Sequence, residues 1–449
     1  MASTYLSYTQ GTPTNNLKWT VSMWVKRSDV IDADAQYLLT AYVDGSNHWV
    51  MRFIENKIDI YDYVSGSQSG KLRTNRVFTD PAAWYHIVYV YDSANASATD
   101  RMRLYVNGVE QTSFTTDTQP AQDTACIFNL SGRIGELGRR SDGGAETYFD
   151  GSMAHVHFCD GQAYAASDFG ETDATSGIWI AKTGPSVTYG NNGFFLKFAS
   201  GAQGTDSSGE GNNFTVSGTA TNTEDTPNNN FATWNPLIYG ASSLTIANGN
   251  NAITDVADTS YHSIYGTIPV STGKWYWEIK AVNVGSASGR MSWGIGDVDN
   301  LQNANPGEVG DKSNGWTWDN SGGYKTGGSG GQESGDYLSY TTGDIIAFAL
   351  DCDNSKLYLA KNNTWQKSGD PTSGATGTGA ISITADTTYA PAGNMRYSGN
   401  EAAINFGNGY FGTTAVTSAE ADGNGEGQFE YAPPTGYFAL CTNNLGSES

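Results

Sequence analysis

His155, His157 and Cys159 alternate along one stretch, so a strand puts all three side chains on one face. Two imidazoles and a thiolate are donors that Zn²⁺ accepts, but the nearest further ligand is Asp160, and an ordinary strand accounts for the same spacing. Asp351, Asp353 and Ser355 occupy the first three ligand positions of a calcium loop. Lys356 then stands where that loop needs glycine, and Asn362 where it needs a bidentate glutamate. A turn between Leu350 and Leu357 explains them more simply. Glycoside hydrolysis needs two carboxylates across the bond, ~5–5.5 Å apart or ~6.5–9.5 Å apart. The nearest approach is Glu55, Asp59 and Asp62, whose spacing distributes them over both faces of an otherwise apolar strand pair. Gly327-Gly328-Ser329-Gly330-Gly331 has no following Lys-Ser/Thr and no helix, so it is no phosphate cradle. Gly66-Ser67-Gln68-Ser69-Gly70 holds its serines in the wrong register for a nucleophile elbow. None of these residues assembles machinery for turnover.

Aromatic residues carry a different chemistry. Trp316, Trp318 and Tyr324 sit beside Asp319, Asn320 and a glycine-rich loop, with Tyr337 and Tyr340 following. Ring faces stack on the apolar C–H surface of a sugar, while Asp and Asn take hydroxyl hydrogen bonds. This segment is therefore the expected glycan- or partner-binding platform: Trp316, Trp318, Asp319, Asn320, Tyr324 and Tyr337. The competing reading makes the two tryptophans core and leaves the binding to the loops.

The elements that must position these residues are strands. In Trp19–Lys26, Trp19, Val21, Met23 and Val25 share one face while Thr20, Ser22, Trp24 and Lys26 take the other. Tyr85–Tyr91 is apolar or aromatic on both faces, as befits a central strand of a sandwich. Residues 101–115 read as a hairpin turning at Asn107-Gly108, a pair that tolerates positive φ at both positions. The one helical hint in the first half is a turn or two over Ala163–Gly170.

The chain has 449 residues, 55 of them glycine, and 46 acidic against 24 basic side chains, for a net charge of -22. Residues 1–160 hold 13 basic and 18 acidic groups, so a local basic patch is confined to the N-terminal part. This balance argues against nucleic acid as a partner, since phosphate binding needs clustered cations. No run of ~18 apolar residues is present, so no membrane insertion is expected. No leader of the basic-then-apolar kind is read at the N-terminus, and Cys126, Cys159, Cys352 and Cys441, scattered without pairs, are expected to be reduced thiols.

Trp19–Lys26, Trp84–Asp92 and Leu104–Val109 in that order resemble the laminin G-like, concanavalin-type sandwich. Gly151–Ala163, Asp168–Glu171, Asp206–Gly209, Asn212–Thr215 and Asp225–Pro227 resemble segments of tailed-bacteriophage structural proteins, especially those of marine hosts. Gly273–Ile279, Ser292–Asp297, Gly315–Trp318, Gly343–Asp351 and Asp353–Tyr358 resemble a SPRY domain, another bent sandwich. Hydrolases of the concanavalin type carry a Glu-x-Asp-x-x-Glu run, which this sequence lacks.

The resemblances imply an all-β chain of two consecutive antiparallel β-sandwiches. The expected boundaries are 1–198 for the laminin G-like domain, 199–236 for a Gly/Asn-rich connector, 237–412 for the SPRY-like domain and 413–449 for a C-terminal segment docked on a domain. They imply a non-enzymatic virion protein assembled in the bacterial cytoplasm, a tail-fibre or adhesin component binding host-surface glycan or protein. Alternatives are a capsid-decorating or connector protein contacting other virion proteins, and a glycan hydrolase. A homo-oligomer, trimeric by resemblance, is expected. No cofactor is expected beyond Ca²⁺ by fold analogy, at Asp142, Glu146 and Asp150.

Overall fold

The computed structural model describes residues 4–30, 34–141, 147–238, 244–256, 260–285, 290–301, 307–326, 332–333 and 337–446. The chain forms two compact units, residues 1–222 and 223–449. Each is built of antiparallel sheets, with helix reduced among the described residues to short 3-10 turns and Thr442–Leu445.

In the first unit the strands are β1 (Tyr5–Thr9), β2 (Lys18–Arg27), β3 (Gln36–Asp44), β4 (Asn47–Ile54), β5 (Lys57–Val64), β6 (Ser67–Thr74), β7 (Trp84–Asp92), β8 (Met102–Val106), β9 (Val109–Glu110), β10 (Phe114–Thr118) and β11 (Ile134–Leu137). Among the described residues an eight-stranded sheet runs β10-β6-β5-β4-β3-β11-β1, ending in Thr215–Ser217. A six-stranded sheet places Phe194–Leu196 and Gly151–Asp160 beside β2, then β7, β8 and β9. The inward residues of both sheets close one core around Trp19, which stacks on Tyr91 at 5.3 Å and meets Trp49 edge-on at 5.4 Å. Stretches of alternating residues sort their apolar half into this core, which is the main favourable term of the fold.

Three details refine the sequence reading. The turn at Asn107-Gly108 has φ of 49° and 80°, and a side chain on Gly108 would strike the Trp179 ring at 2.8 Å. The returning arm, however, pairs over Val109–Glu110 alone, and Phe114–Thr118 crosses to the other sheet. Residues 101–115 are thus a short hairpin plus a crossover, because the larger sheet needs an edge partner for β6. The helical hint at Ala163–Gly170 is a 3-10 turn over Ala166–Asp168. Residues 199–222 lie within the first unit, where Phe214 enters the core and Thr215–Ser217 pairs with β1.

The second unit has a large sheet ordered Leu244–Ala247, Ala252–Asp255, Glu401–Asn405, Lys274–Asn283, Ile345–Asp351, Lys356–Lys361, Thr364–Trp365. Its other sheet is ordered His262–Tyr265, Tyr389–Arg396, Arg290–Asp297, Trp316–Asp319, Tyr324–Thr326, Gln332–Glu333. Trp277 stacks on Phe348 at 5.4 Å within the core between them. The outer side of the large sheet is covered by the chain's last aromatic stretch. Phe438–Ala439 pairs in parallel with Trp275-Tyr276, and Phe429 and Tyr437 pack with Tyr276 and Tyr358. Glu278 holds that stretch by accepting the backbone N–H groups of Glu430 (2.9 Å) and Tyr431 (2.8 Å). None of the four cysteines pairs with another.

Candidate functional site

The segment around Trp316 is brought together as the sequence suggests, but it faces inward. Trp318 is fully buried and donates its indole N–H to the Leu338 carbonyl at 3.1 Å, while Trp316, Asn320 and Tyr324 are also buried. The Asp319 carboxylate caps the following turn, accepting from the Ser321 and Gly323 backbone and the Ser321 hydroxyl. Tyr337 is half-buried, with its ring near Trp318, Tyr324 and Lys367. The expected open platform is corrected to a core cluster, because strand alternation drives both tryptophans between the sheets and leaves Tyr337 as the one half-buried ring of the set.

The other early candidates resolve likewise. His157 Nδ1 is hydrogen-bonded to the Tyr189 hydroxyl at 3.0 Å and its ring stacks on Phe195 at 3.9 Å, while a β-bulge with φ of 46° displaces His155 from the regular alternation. Cys159 is buried beneath Phe169, and no group of three His, Cys, Asp or Glu side chains among the described residues could hold a metal ion. Asp351 accepts from Asn354 and pairs with Lys274 at 3.3 Å, closing a turn. Asp142 and Glu146 lie outside the described residues. Asp150 is half-buried, and burial followed by the neighbouring Asp29 charge pushes its carboxyl up to about 6. Ca²⁺ takes six to eight oxygens, which these two carboxylates do not supply by themselves.

Asp59 and Asp62 point to opposite sides of their sheet. Asp62 turns into the core, where burial pushes its carboxyl up to about 6 against donation from Ser69 Oγ (2.6 Å) and Ile127 N (3.2 Å). Asp59 turns outward and takes Arg52 at 2.9 Å and Lys71 at 3.2 Å. They do not form a facing pair across one cleft.

What the structure does assemble is the outer face of the eight-stranded sheet. On β4 the residues Trp49, Met51 and Phe53 point inward, which sends His48, Val50 and Arg52 outward. On β5, Ile58 and Ile60 go in while Asp59, Tyr61 and Tyr63 go out. Lys71 on β6, with Tyr37 and Tyr42 on β3 and Arg140 beyond β11, completes a face of rings and cations. His48 stacks on Tyr63 at 4.9 Å and 17°. Arg52 lies over Tyr61 at 5.0 Å and Tyr37 at 5.6 Å, Lys71 over Tyr61 at 5.4 Å, and Arg140 over Tyr42 at 4.9 Å. The Tyr37 hydroxyl accepts from both Arg52 (3.1 Å) and Arg140 (3.0 Å), holding the guanidiniums over the aromatic floor.

Two hairpin tips wall this face. The turn between β5 and β6 has φ of 50° at Ser65 and 79° at Gly66. Its backbone N–H groups bond Asn47 Oδ1 (3.0 Å) and the Ser46 carbonyl (2.9 Å), locking it to the β3–β4 turn. On either side of that wall lie two depressions. One, of about 380 Å³, is lined by Gly45, His48, Arg52, Tyr61, Tyr63, Gln68 and Lys71. The other, of about 460 Å³, involves Tyr42, Val43, Asp44, Ile134, Glu136 and Ser141.

The electrostatics of the first depression are set by partial burial. Burial lowers the His48 pKa below its ordinary value, with Arg140 and Arg52 adding to the effect, so the ring is neutral at pH 7. Because the Asp44 carbonyl at 3.1 Å can only accept, Nδ1 carries the proton and Nε2 is an acceptor. Burial opposes the charge on Arg52, but Tyr61 and Asp59 outweigh it and hold the guanidinium above its ordinary pKa. Tyr37, Tyr61 and His48 are themselves buried beneath the cations, so the face offers the half-buried rings of Tyr42 and Tyr63, fixed donors and one neutral acceptor. That combination suits noncovalent contact with a polar, ring-shaped molecule.

Residues 1–167 match the protein family described as the concanavalin A-like lectin/glucanases superfamily, Laminin_G_3. No curated protein matches the chain. Among solved structures, it is similar to the SPRY domain of human HERC1, at 17% identity over 36% of this chain and 91% of that one, TM-score 0.28. It is also similar to the native heptameric SAP-like pentraxin from Limulus polyphemus, at 16% identity over 41% of this chain and 87% of that one, TM-score 0.28. The ring-and-cation face lies entirely inside or adjacent to the family-matched residues. The first unit is thus similar in sequence to concanavalin A-like lectins and glucanases.

Proposed function

We propose that the chain is a noncovalent glycan-binding protein whose site is the outer face of β3–β6, and that it serves as an exposed appendage component of a tailed-phage virion, contacting the host surface. The observation that carries the binding half is the Tyr63–His48 ring pair beside Arg52 and Lys71 at the wall of an open depression. Stacking takes the apolar face of a sugar, and the fixed donors take its hydroxyls. Binding of this kind is weak per site, and an appendage multiplies it by copy number. The virion half is supported by the sequence resemblance of residues 151–171 and 206–227 to phage structural proteins.

A glycan microarray probed with the parent and with Tyr63→Ala tests the binding half. Signal that falls about fivefold or more in the variant supports it, and equal signal or none from either protein overturns it. Adsorption competition tests the other half: saturating purified chain slows phage attachment to host cells if the protein is the adhesin, and leaves it unchanged if it decorates the capsid.

A further inference from the structure

The two depressions differ in charge, and this sets which glycan fits. On the outer face of β4–β6 two cations, Arg52 and Lys71, share one carboxylate, Asp59, which is itself fully buried beneath them. The pair Arg73–Glu55 at 2.8 Å neutralises itself farther along the same strands. A net positive charge therefore stands over the first depression, in a chain whose net charge is -22. At the second depression Glu136 is paired with Arg139, which leaves the exposed Asp44 at the rim beside the exposed apolar Val43 and Ile134. Glu136 is held by Arg139 and the Ser141 backbone, and Asp44 by Ser46 and Asn47, so both are oriented acceptors rather than mobile charges.

Resting on the reading of this face as a glycan site, we infer that its ligand is an acidic saccharide. The saccharide places one carboxylate-bearing sugar in the depression at Arg52 and Lys71, and neutral sugars across the β3–β4 turn toward Val43 and Ile134. Four strand spacings of ~4.8 Å separate β6 from β11, a reach of ~19 Å, so the ligand is an oligosaccharide rather than a single sugar. A carboxylate meets a guanidinium and an ammonium whose other partner is shared. A neutral sugar next to it gives its hydroxyl protons to Nε2 of His48, which the Asp44 carbonyl keeps in the acceptor tautomer. A second carboxylate at the far end would face Asp44 and the apolar Val43 and Ile134, so a ligand with an acid on every sugar fits worse than one alternating acidic and neutral sugars.

The experiment uses a tetrasaccharide alternating neutral sugars with uronic acids, and the same compound with its carboxyls reduced to alcohols, titrated against the full chain by calorimetry. The expected result is about tenfold tighter binding of the acidic form at low ionic strength, the advantage shrinking as salt is raised. Lys71→Gln should weaken the acidic form about tenfold and the reduced form by no more than about twofold, so that the ratio between them collapses, and Lys71→Arg should restore the ratio. Circular dichroism of each variant confirms folding, since Arg52 still neutralises Asp59. Equal affinity for the two forms overturns the acidic assignment and leaves the glycan site standing. Binding of neither form, with binding of an oligoglutamate peptide instead, overturns both.

Discussion

Asp62 offers a test of the strand alternation on which the binding face depends. It sits between Tyr61 and Tyr63 but points the opposite way, into the core, where Ser69 Oγ and Ile127 N donate to it and burial pushes its carboxyl up to about 6. A folded pKa above the unfolded value of ~3.9 means that Asp62 contributes stability fully below about pH 4 and loses it as pH rises through 6. The gap corresponds to a cost of ~3 kcal/mol at pH 8. In Asp62→Asn, Oδ1 keeps the Ile127 bond and the amide donates to Ser69, whose hydroxyl rotates to accept. The two charge-assisted bonds are already counted in that folded pKa, so the variant gives up nothing further at pH 8. Burial wins, so Asp62→Asn is expected to be ~2–3 kcal/mol more stable than the parent at pH 8 and equal or slightly weaker at pH 4. Urea denaturation at intervals between those limits measures the difference. A difference that is flat with pH, or one that turns against the variant at pH 8, refutes the inward placement of Asp62 and with it the outward placement of Tyr61 and Tyr63.

His86 stacks between Trp24 at 4.7 Å and Trp179 at 6.0 Å, and burial brings its pKa down to about 3. Trp179 donates to Nδ1 at 3.0 Å, so nitrogen NMR should show a neutral ring protonated on Nε2 from pH 5 to 8; an imidazolium in that range contradicts the packing. Because this pKa is depressed, the stability it contributes is present above about pH 6.5 and lost in acid. Glu278→Ala leaves the Glu430 and Tyr431 N–H groups without their acceptor, at ~1–3 kcal/mol each. Hydrogen exchange over 429–441 should then accelerate, and unchanged protection would refute the clasp. Trp318→Ala should cost ~3–5 kcal/mol by opening a cavity while leaving glycan affinity unchanged; lost affinity in a folded variant would restore the Trp316–Tyr324 segment as the site.

Much of the architecture is legible in the sequence because it rests on period-two alternation. Trp19–Lys26 and Tyr85–Tyr91 pair directly as neighbouring strands of one sheet, and Asn107-Gly108 makes the turn its residue types require. The site is less legible. Trp316 and Trp318 carry the same composition whether a sheet presents them or swallows them, and only the second sheet, packed on their side, decides. The outer face was open to the same alternation: His48-x-Val50-x-Arg52 and Asp59-x-Tyr61-x-Tyr63 set polar and aromatic residues against an apolar partner set. Its half-apolar composition reads as core, because tyrosines buried under guanidiniums look like interior residues in a sequence. The convergence of β3, β4, β5 and β6 side chains is long-range, and no local spacing reports it.

The measurement that bears most directly on the account is a crystal structure of the chain with a bound oligosaccharide. The account expects a sugar ring over Tyr63 and His48, with polar groups within hydrogen-bond distance of Arg52 and Lys71. A saccharide seated anywhere else, with the β3–β6 face left bare, contradicts it.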